Sequence, residues 1–180
     1  MNNRIDRVTT KTGDGGITSL SDGKRYPKHH DLIELVGTLD EANTAIGMLV
    51  ILLPDNASED RKFLRRIQSR LFDAGAVVAG GKKGDYWTAE TVEVEQQIIQ
   101  INQRLEPLVE FTLPGGNMNN AQAHVARTIV RRAERCYWRS GVQDRVDVPI
   151  GQYLNRISDY LFVISRTYTD EEILWKPHKG

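Results

Sequence analysis

The apolar positions of this chain recur at intervals of three and four residues rather than alternating, a pattern that predicts α-helices along most of its length. Proline and glycine set the boundaries. Pro54, Pro107, Pro114, Pro149 and Pro177, with Gly80-Gly81 and Gly115-Gly116, separate the helical segments. Five helices follow, near 29–53, 58–79, 88–106, 118–140 and 149–170. No strand is expected, because Val77-Val78-Ala79 and Val146-Asp147-Val148 are short and lack hairpin partners. The expected fold is all-α in a single domain: an irregular N-terminal segment over 1–28, a five-helix bundle over 29–170 and a tail over 171–180.

The first helix carries Leu32, Leu35, Leu39, Ala42, Ile46 and Leu49 on one face, a stripe that closes a bundle core. Ile33, Val36, Asp40, Asn43 and Gly47 share an adjacent face that is largely apolar yet holds a carboxylate. Two buried faces point to a subunit contact, and periodicity alone fits a central helix within a monomer equally well.

Composition narrows the classes. A chain of 180 residues buries a continuous core without disulfides or metal staples. Lys+Arg and Asp+Glu both number 24, so no global field favours nucleic acid or an anionic membrane, and any anion site is local. Cys136 has no partner for a disulfide, and no run reaches the roughly 18 apolar residues of a membrane span. Met1 to Val8 lacks the apolar core of a secretory signal, and the expected location is the cytoplasm.

Three segments carry candidate chemistry. Thr9-Thr10-Lys11-Thr12-Gly13-Asp14-Gly15-Gly16-Ile17-Thr18-Ser19 gathers backbone donors, hydroxyls and a cation, the ingredients of a phosphate cradle. It lacks the order of a Walker A loop, and the same residues also suit a plain solvated turn. On the fourth helix Arg127, Arg131 and Arg135 recur every four residues, with His124, Glu134 and Trp138 on the same stripe and Ala126, Ile129, Val130, Ala133 and Tyr137 opposite. Like charges at that spacing repel unless an anion neutralises them, and a solvated face compensated by Glu134 is the alternative. Arg132 points away from the stripe. On the fifth helix Asn155 and Asp159 stand one turn apart, an amide that suits a nucleotide and a carboxylate that suits an arginine, or simply polar residues on an exposed face. His29, His30, His124 and His178 show no metal-ligand spacing, so no dedicated protein-held metal is expected, and no nucleophile motif is present.

Five motifs in one order resemble the PduO-type ATP:cob(I)alamin adenosyltransferases. They are Thr10-Lys11-Thr12-Gly13-Asp14-Gly15-Gly16, Gly37-Thr38-Leu39-Asp40-Glu41-Ala42-Asn43, Phe111-Thr112-Leu113-Pro114-Gly115-Gly116, the stretch His124 to Arg127 with Arg131 to Arg135, and Tyr153 to Phe162. The resemblance implies a five-helix bundle assembled as a homotrimer with active sites between subunits. It implies that Thr10, Lys11, Thr12, Gly13, Thr18, Ser19 and Lys28 hold the triphosphate of ATP. Arg131, Arg132, Ala133, Glu134 and Arg135 would complete that site, and Asn155 would contact the nucleotide. Asp40 and Arg127 would pair across the subunit boundary. Phe111 would lie near the cobalt and help displace the lower ligand of cobalamin, leaving four-coordinate Co(II) that is easier to reduce.

The implied reaction is attack of Co(I) on C5′ of ATP with release of triphosphate, so the protein needs neither nucleophile nor base. Its tasks are in-line positioning, charge neutralisation on the leaving group and exclusion of water. Mg²⁺ would ride on the phosphates, a reductase would deliver the electron, and a B12-dependent enzyme would accept the product. Ala42 and Ala123 stand where the family usually has leucine. The rival readings are another ATP-using transferase or phosphohydrolase on a helical scaffold, and a non-catalytic nucleotide-binding helical oligomer.

Overall fold

The fold was described from a computed structural model, which covers residues 9–146 and 149–178. Met1 to Val8, Asp147, Val148 and the last two residues of the tail, on which parts of the sequence expectations fall, lie outside the described residues. Two strands, β1 (Ile17–Ser19) and β2 (Arg25–Pro27), precede five helices: α1 (Asp31–Leu52), α2 (Ser58–Val78), α3 (Trp87–Asn102), α4 (Met118–Arg139) and α5 (Ile150–Thr167). A 3₁₀ turn, Val142–Asp144, links α4 to α5.

The all-α expectation holds for the bundle and needs one correction before it. The N-terminal segment contains an antiparallel hairpin, with Ile17 opposite Pro27 and Thr18 opposite Tyr26. Three-residue strands are too short to leave an alternating signature, and Pro27 fits only because it closes the edge of a two-stranded ribbon.

Side-chain caps fix the starts of two helices, α1 and α4. His30 Nδ1 accepts the Leu32 N–H at 3.1 Å ahead of α1, whose first turn also holds Asp31 and Glu34 against the positive end of the helix. Asn117 Oδ1 accepts the Asn120 N–H at 2.9 Å ahead of α4, while its amide donates to Tyr168 O at 2.8 Å and ties that start to the end of α5. The helix α3 ends at Asn102, short of the expected 106, and gives way to turns through Leu105.

Neighbouring helices run in the order α2, α1, α4, α5, α3. Bonds between flanking elements close this row into a bundle. Arg66 pairs with Glu90 at 3.0 Å between α2 and α3, and Phe63 meets Tyr160 edge-on between α2 and α5. The stripe Leu32, Leu35, Leu39, Ala42, Ile46 and Leu49 is buried as its spacing predicts. Small buried residues, Ala42 and Ala45 on α1 and Ala123, Ala126 and Ala133 on α4, suit a close approach of the two central helices. Contrary to the expectation from apolar runs, α1 is by length and composition apolar enough to cross a membrane. Its apolarity serves the bundle, since half of that stretch is buried in the core.

The second face of α1 is used in part within the chain. Asn43 and Gly47 are covered by α2, while Ile33 and Val36 stay half-buried and Asp40 exposed. Gln68 Nε2 donates to Asn43 Oδ1 at 2.8 Å, the Asn43 amide donates to Gln68 O at 2.8 Å, and a Cβ at Gly47 would stand 3.0 Å from Gln68 Nε2. A groove of about 460 Å³ opens between α1 and α4, lined by Asp40, Glu41, Thr44, Met48, Val125 and Ile129 among others.

Candidate active site

The N-terminal cradle is shaped by one unusual residue. Lys11, with φ of 59°, is the single non-glycine residue of positive φ among those described. A switch into the left-handed region lets successive backbone N–H groups face one concavity, the geometry of an anion nest. Tight turns hold it, with the Asp14 N–H on Lys11 O at 3.4 Å and the Gly16 N–H on Gly13 O at 3.1 Å. The Thr10 and Thr12 hydroxyls lie 3.0 Å apart.

The hairpin brings a second cation to this loop. A Cβ built on Gly13 would stand 3.3 Å from Lys28 Cε and 3.4 Å from its Nζ, so the ammonium sits where a side chain is missing. The Lys28 N–H bonds Gly16 O at 2.8 Å, and Arg25 donates to Thr12 O at 3.2 Å. Thr18 is half-buried in β1 and Ser19 is exposed beside it. Arg25 escaped the sequence reading because only its position in β2, opposite Ser19, turns it toward the loop. The hairpin is fastened to the end of α2, where the Asp22 N–H and the Ser21 hydroxyl both bond Ala79 O, at 2.9 and 2.7 Å.

The arginine face of α4 is less uniform than its spacing suggests. Arg131, Arg132 and Arg135 are exposed, whereas Arg127 is half-buried. Arg132 pairs with Glu41 of α1, in keeping with its position off the stripe. Ala133 is fully buried and packs in the core, so its side chain cannot face an anion. Glu134 accepts the Asn155 amide at 3.3 Å, Asn155 Oδ1 accepts Arg156 at 2.6 Å, and Arg156 Nε donates to Glu95 at 2.6 Å. A polar chain thus crosses α4, α5 and α3. Asp159 lies 3.9 Å from Arg156, and burial raises its carboxyl above the usual range against the pull of Arg156 and Arg131.

His124 is the clearest departure. Expected on the exposed stripe, it is 3% exposed and bonded to Arg127 and Ser165. Helical angle places it with the arginines, and α5 covers that angle at the first turns of α4.

Between α3, α4 and α5 opens a cleft of about 850 Å³. Ile98, Leu105 and Phe162 give it apolar walls, and Arg127, Arg131 and Arg166 bring cations to it. Burial and the like charge of Arg131 both work against the Arg127 cation. None of the cradle residues lines this cleft.

Asp40 is exposed in the α1–α4 groove, apart from Arg127 and without an ion pair among the described residues. Phe111 is 74% exposed, just beyond Pro107 and Leu108, which line the cleft. The tail, unassigned by sequence, holds this loop. The Trp175 N–H bonds Phe111 O and the Leu113 N–H bonds Ile173 O, both at 2.7 Å, while the Phe111 and Trp175 rings stand 6.2 Å apart. Among the described residues no group of three or more His, Cys, Asp or Glu side chains is placed to hold a metal.

Residues 8–168 match the family model of the cobalamin adenosyltransferases. The chain belongs to that family. It is 37% identical over 180 residues to a cobalamin adenosyltransferase of Cupriavidus metallidurans, covering 98% of this chain and 97% of the other. It is 40% identical over 184 residues to a corrinoid adenosyltransferase of Mycobacterium tuberculosis, covering 96% and 94%. Among solved structures, it resembles a Phe-to-His variant of a PduO-type ATP:corrinoid adenosyltransferase from Lactobacillus reuteri complexed with cobalamin and ATP. The TM-score is 0.87 at 27% identity, over 96% of this chain and 98% of that one. The five-helix arrangement with its small N-terminal hairpin is therefore the architecture of a cobalamin adenosyltransferase.

Proposed function

We propose that this chain transfers the 5′-deoxyadenosyl group of ATP to the Co(I) of a reduced corrinoid. The Co(I) electron pair forms the Co–C5′ bond, the C5′–O bond breaks, and triphosphate leaves with that electron pair. The observation that carries the reading is the pairing of two complementary half-sites on one fold: a cationic hydroxyl-rich cradle around Lys11, and an apolar cleft rimmed by Arg127 and Arg131. The first suits a polyphosphate and the second a large planar macrocycle beside charge.

The cradle residues Thr10 to Gly13, with Thr18, Ser19 and Lys28, bind the triphosphate, and Mg²⁺ rides on its oxygens. Arg131 and Arg135 neutralise charge that grows on the leaving group. Asn155 meets the nucleotide, and its bond to Glu134 supports fixing the amide before the ligand arrives. Phe111 excludes the lower ligand from cobalt, and its exposure supports a ring available to a ligand rather than one used in packing.

The working form in this proposal is a homotrimer in the cytoplasm, with each active site completed by two copies. The separation of the cradle from the cleft within one chain supports this, as do the lone Asp40 and the groove around it. Asp40 of one copy then meets Arg127 of the next. A reductase supplies Co(I), and a B12-dependent enzyme receives the product.

Anaerobic incubation with ATP, Mg²⁺ and chemically generated cob(I)alamin tests the reading. The expected result is the spectrum of adenosylcobalamin with one triphosphate released per turnover. Release of phosphate or diphosphate, or ATP binding without an alkylated corrinoid, overturns it.

A further inference from the structure

Buried beneath the cleft wall is a titratable group to which the reaction above assigns no task. His124 Nδ1 lies 3.1 Å from Arg127 Nε, which carries a hydrogen at all times and can only donate. On the other side of the ring, Nε2 lies 3.2 Å from Ser165 Oγ. That hydroxyl already spends its proton on Phe162 O at 2.7 Å, so toward the ring it can only accept. Both neighbours therefore require the same state of the imidazole: hydrogen on Nε2, a bare lone pair on Nδ1, no positive charge. The result is a directional chain from the Arg127 guanidinium through His124 and Ser165 to the Phe162 carbonyl, joining α4 to α5.

The chain ends at the cleft. Arg127 and Phe162 both line it, and the Phe162 ring stands 6.1 Å from the imidazole. Using Nε on His124 leaves both terminal nitrogens of Arg127 without a partner among the described residues. We infer that His124 is a positioning residue, whose lone pair pins Arg127 by its Nε and presents its two terminal NH₂ groups to a carboxylate or anion at the cleft mouth. A long flexible side chain is thereby held in one direction before assembly or substrate binding, which lowers the entropy of forming a bidentate contact. The inference rests on the reading of the cleft as the adenosyltransferase site for its effect on turnover, and on hydrogen-bond logic alone for the state of the ring.

Two substitutions separate the two nitrogens. In His124→Asn the amide oxygen reaches the place of Nδ1 and can accept from Arg127. In His124→Gln the longer amide reaches the place of Nε2, keeping Ser165 satisfied and leaving Arg127 without its acceptor. The expected result is that Asn rescues and Gln does not: His124→Gln loses turnover on the order of 10- to 100-fold, as a displaced positioning group does, at a thermal midpoint close to that of His124→Asn. Equal losses in both variants, tracking their midpoints, would mean that the residue only packs and would overturn the inference. Independently of activity, ¹⁵N NMR of the wild-type chain labelled at its histidines reads the tautomer. A neutral ring protonated at Nε2 is expected at pH 7; a ring protonated at Nδ1, or an imidazolium, overturns the inference whether or not the chain alkylates a corrinoid. Should the wild type make no adenosylated product, the functional reading fails by itself, and the NMR result still decides what His124 does for Arg127.

Discussion

Arg131 has its backbone carbonyl bonded by Arg135, and it lines the cleft. Arg131→Ala is expected to lower turnover at least about 100-fold, the usual cost of removing one preorganised donor from a developing charge. The exposed helix face should keep its structure, and circular dichroism with steady-state rates checks both. Phe111 gives a different signature. Because its ring is largely exposed, Phe111→Ala should leave the thermal midpoint near that of the wild type while collapsing activity that starts from cob(II)alamin and a reductant. Activity from pre-formed Co(I), which holds no lower ligand, should fall much less; equal losses from both starting states would remove the ring from that role. His124 adds a pH dependence. Burial, with the charge of Arg127, pushes its pKa down from 6.5 to about 4. The unfolded chain therefore takes up a proton that the folded chain refuses between those values. This contribution to stability is complete above pH 6.5 and declines as pH falls toward 4, by up to about 1.4 kcal/mol per pH unit. Urea unfolding between pH 7 and 4.5 should show this slope, and His124→Asn should flatten it.

At the level of elements, α4 and α5 approach closely at Gly151. A Cβ at Gly151 would stand 2.6 Å from Trp138 Cζ2 and 2.8 Å from the Tyr137 ring. Gly151→Ala is therefore expected to destabilise by about 1–3 kcal/mol through overpacking, and to loosen the wall that carries the cleft. Calorimetry and turnover measured together test it. The helices themselves were legible because each buries one long stripe, and Leu32 through Leu49 is buried as its period requires. The hairpin was not, since Thr18 opposite Tyr26 is a pairing across a turn rather than a local rhythm. His124 shows a second limit: angle around a helix fixes direction, and only the neighbouring helix decides whether that direction meets water. The tail escaped for a third reason. The bonds of Ile173 and Trp175 join backbone atoms distant in sequence, to which side-chain identity gives no clue. The cradle was legible as a composition with two cations, Lys11 and Lys28, and a third, Arg25, emerged only with the fold.

For the whole molecule, the residues of the proposed site lie on separate surfaces of one copy. Asp40 sits in the α1–α4 groove and Arg127 in the α3–α4–α5 cleft, and the Lys11 loop lines neither. On the proposed assembly, Asp40→Ala strands Arg127 at a partly buried boundary, with a loss of about 2–5 kcal/mol. Activity and association should weaken together, and sedimentation across a dilution series checks it; an intact, fully active trimer at low concentration would contradict the pairing. The left-handed backbone at Lys11 carries a further consequence, a trade between folding and binding. A side chain there costs about 1–2 kcal/mol relative to glycine, so Lys11→Gly should make the chain more resistant to heat and a weaker ligand for triphosphate. Lys11→Asn, which tolerates the same backbone without the charge, separates the two effects. On the proposed site, hardening this protein by relieving its left-handed residue would draw the gain in durability directly from its affinity for ATP.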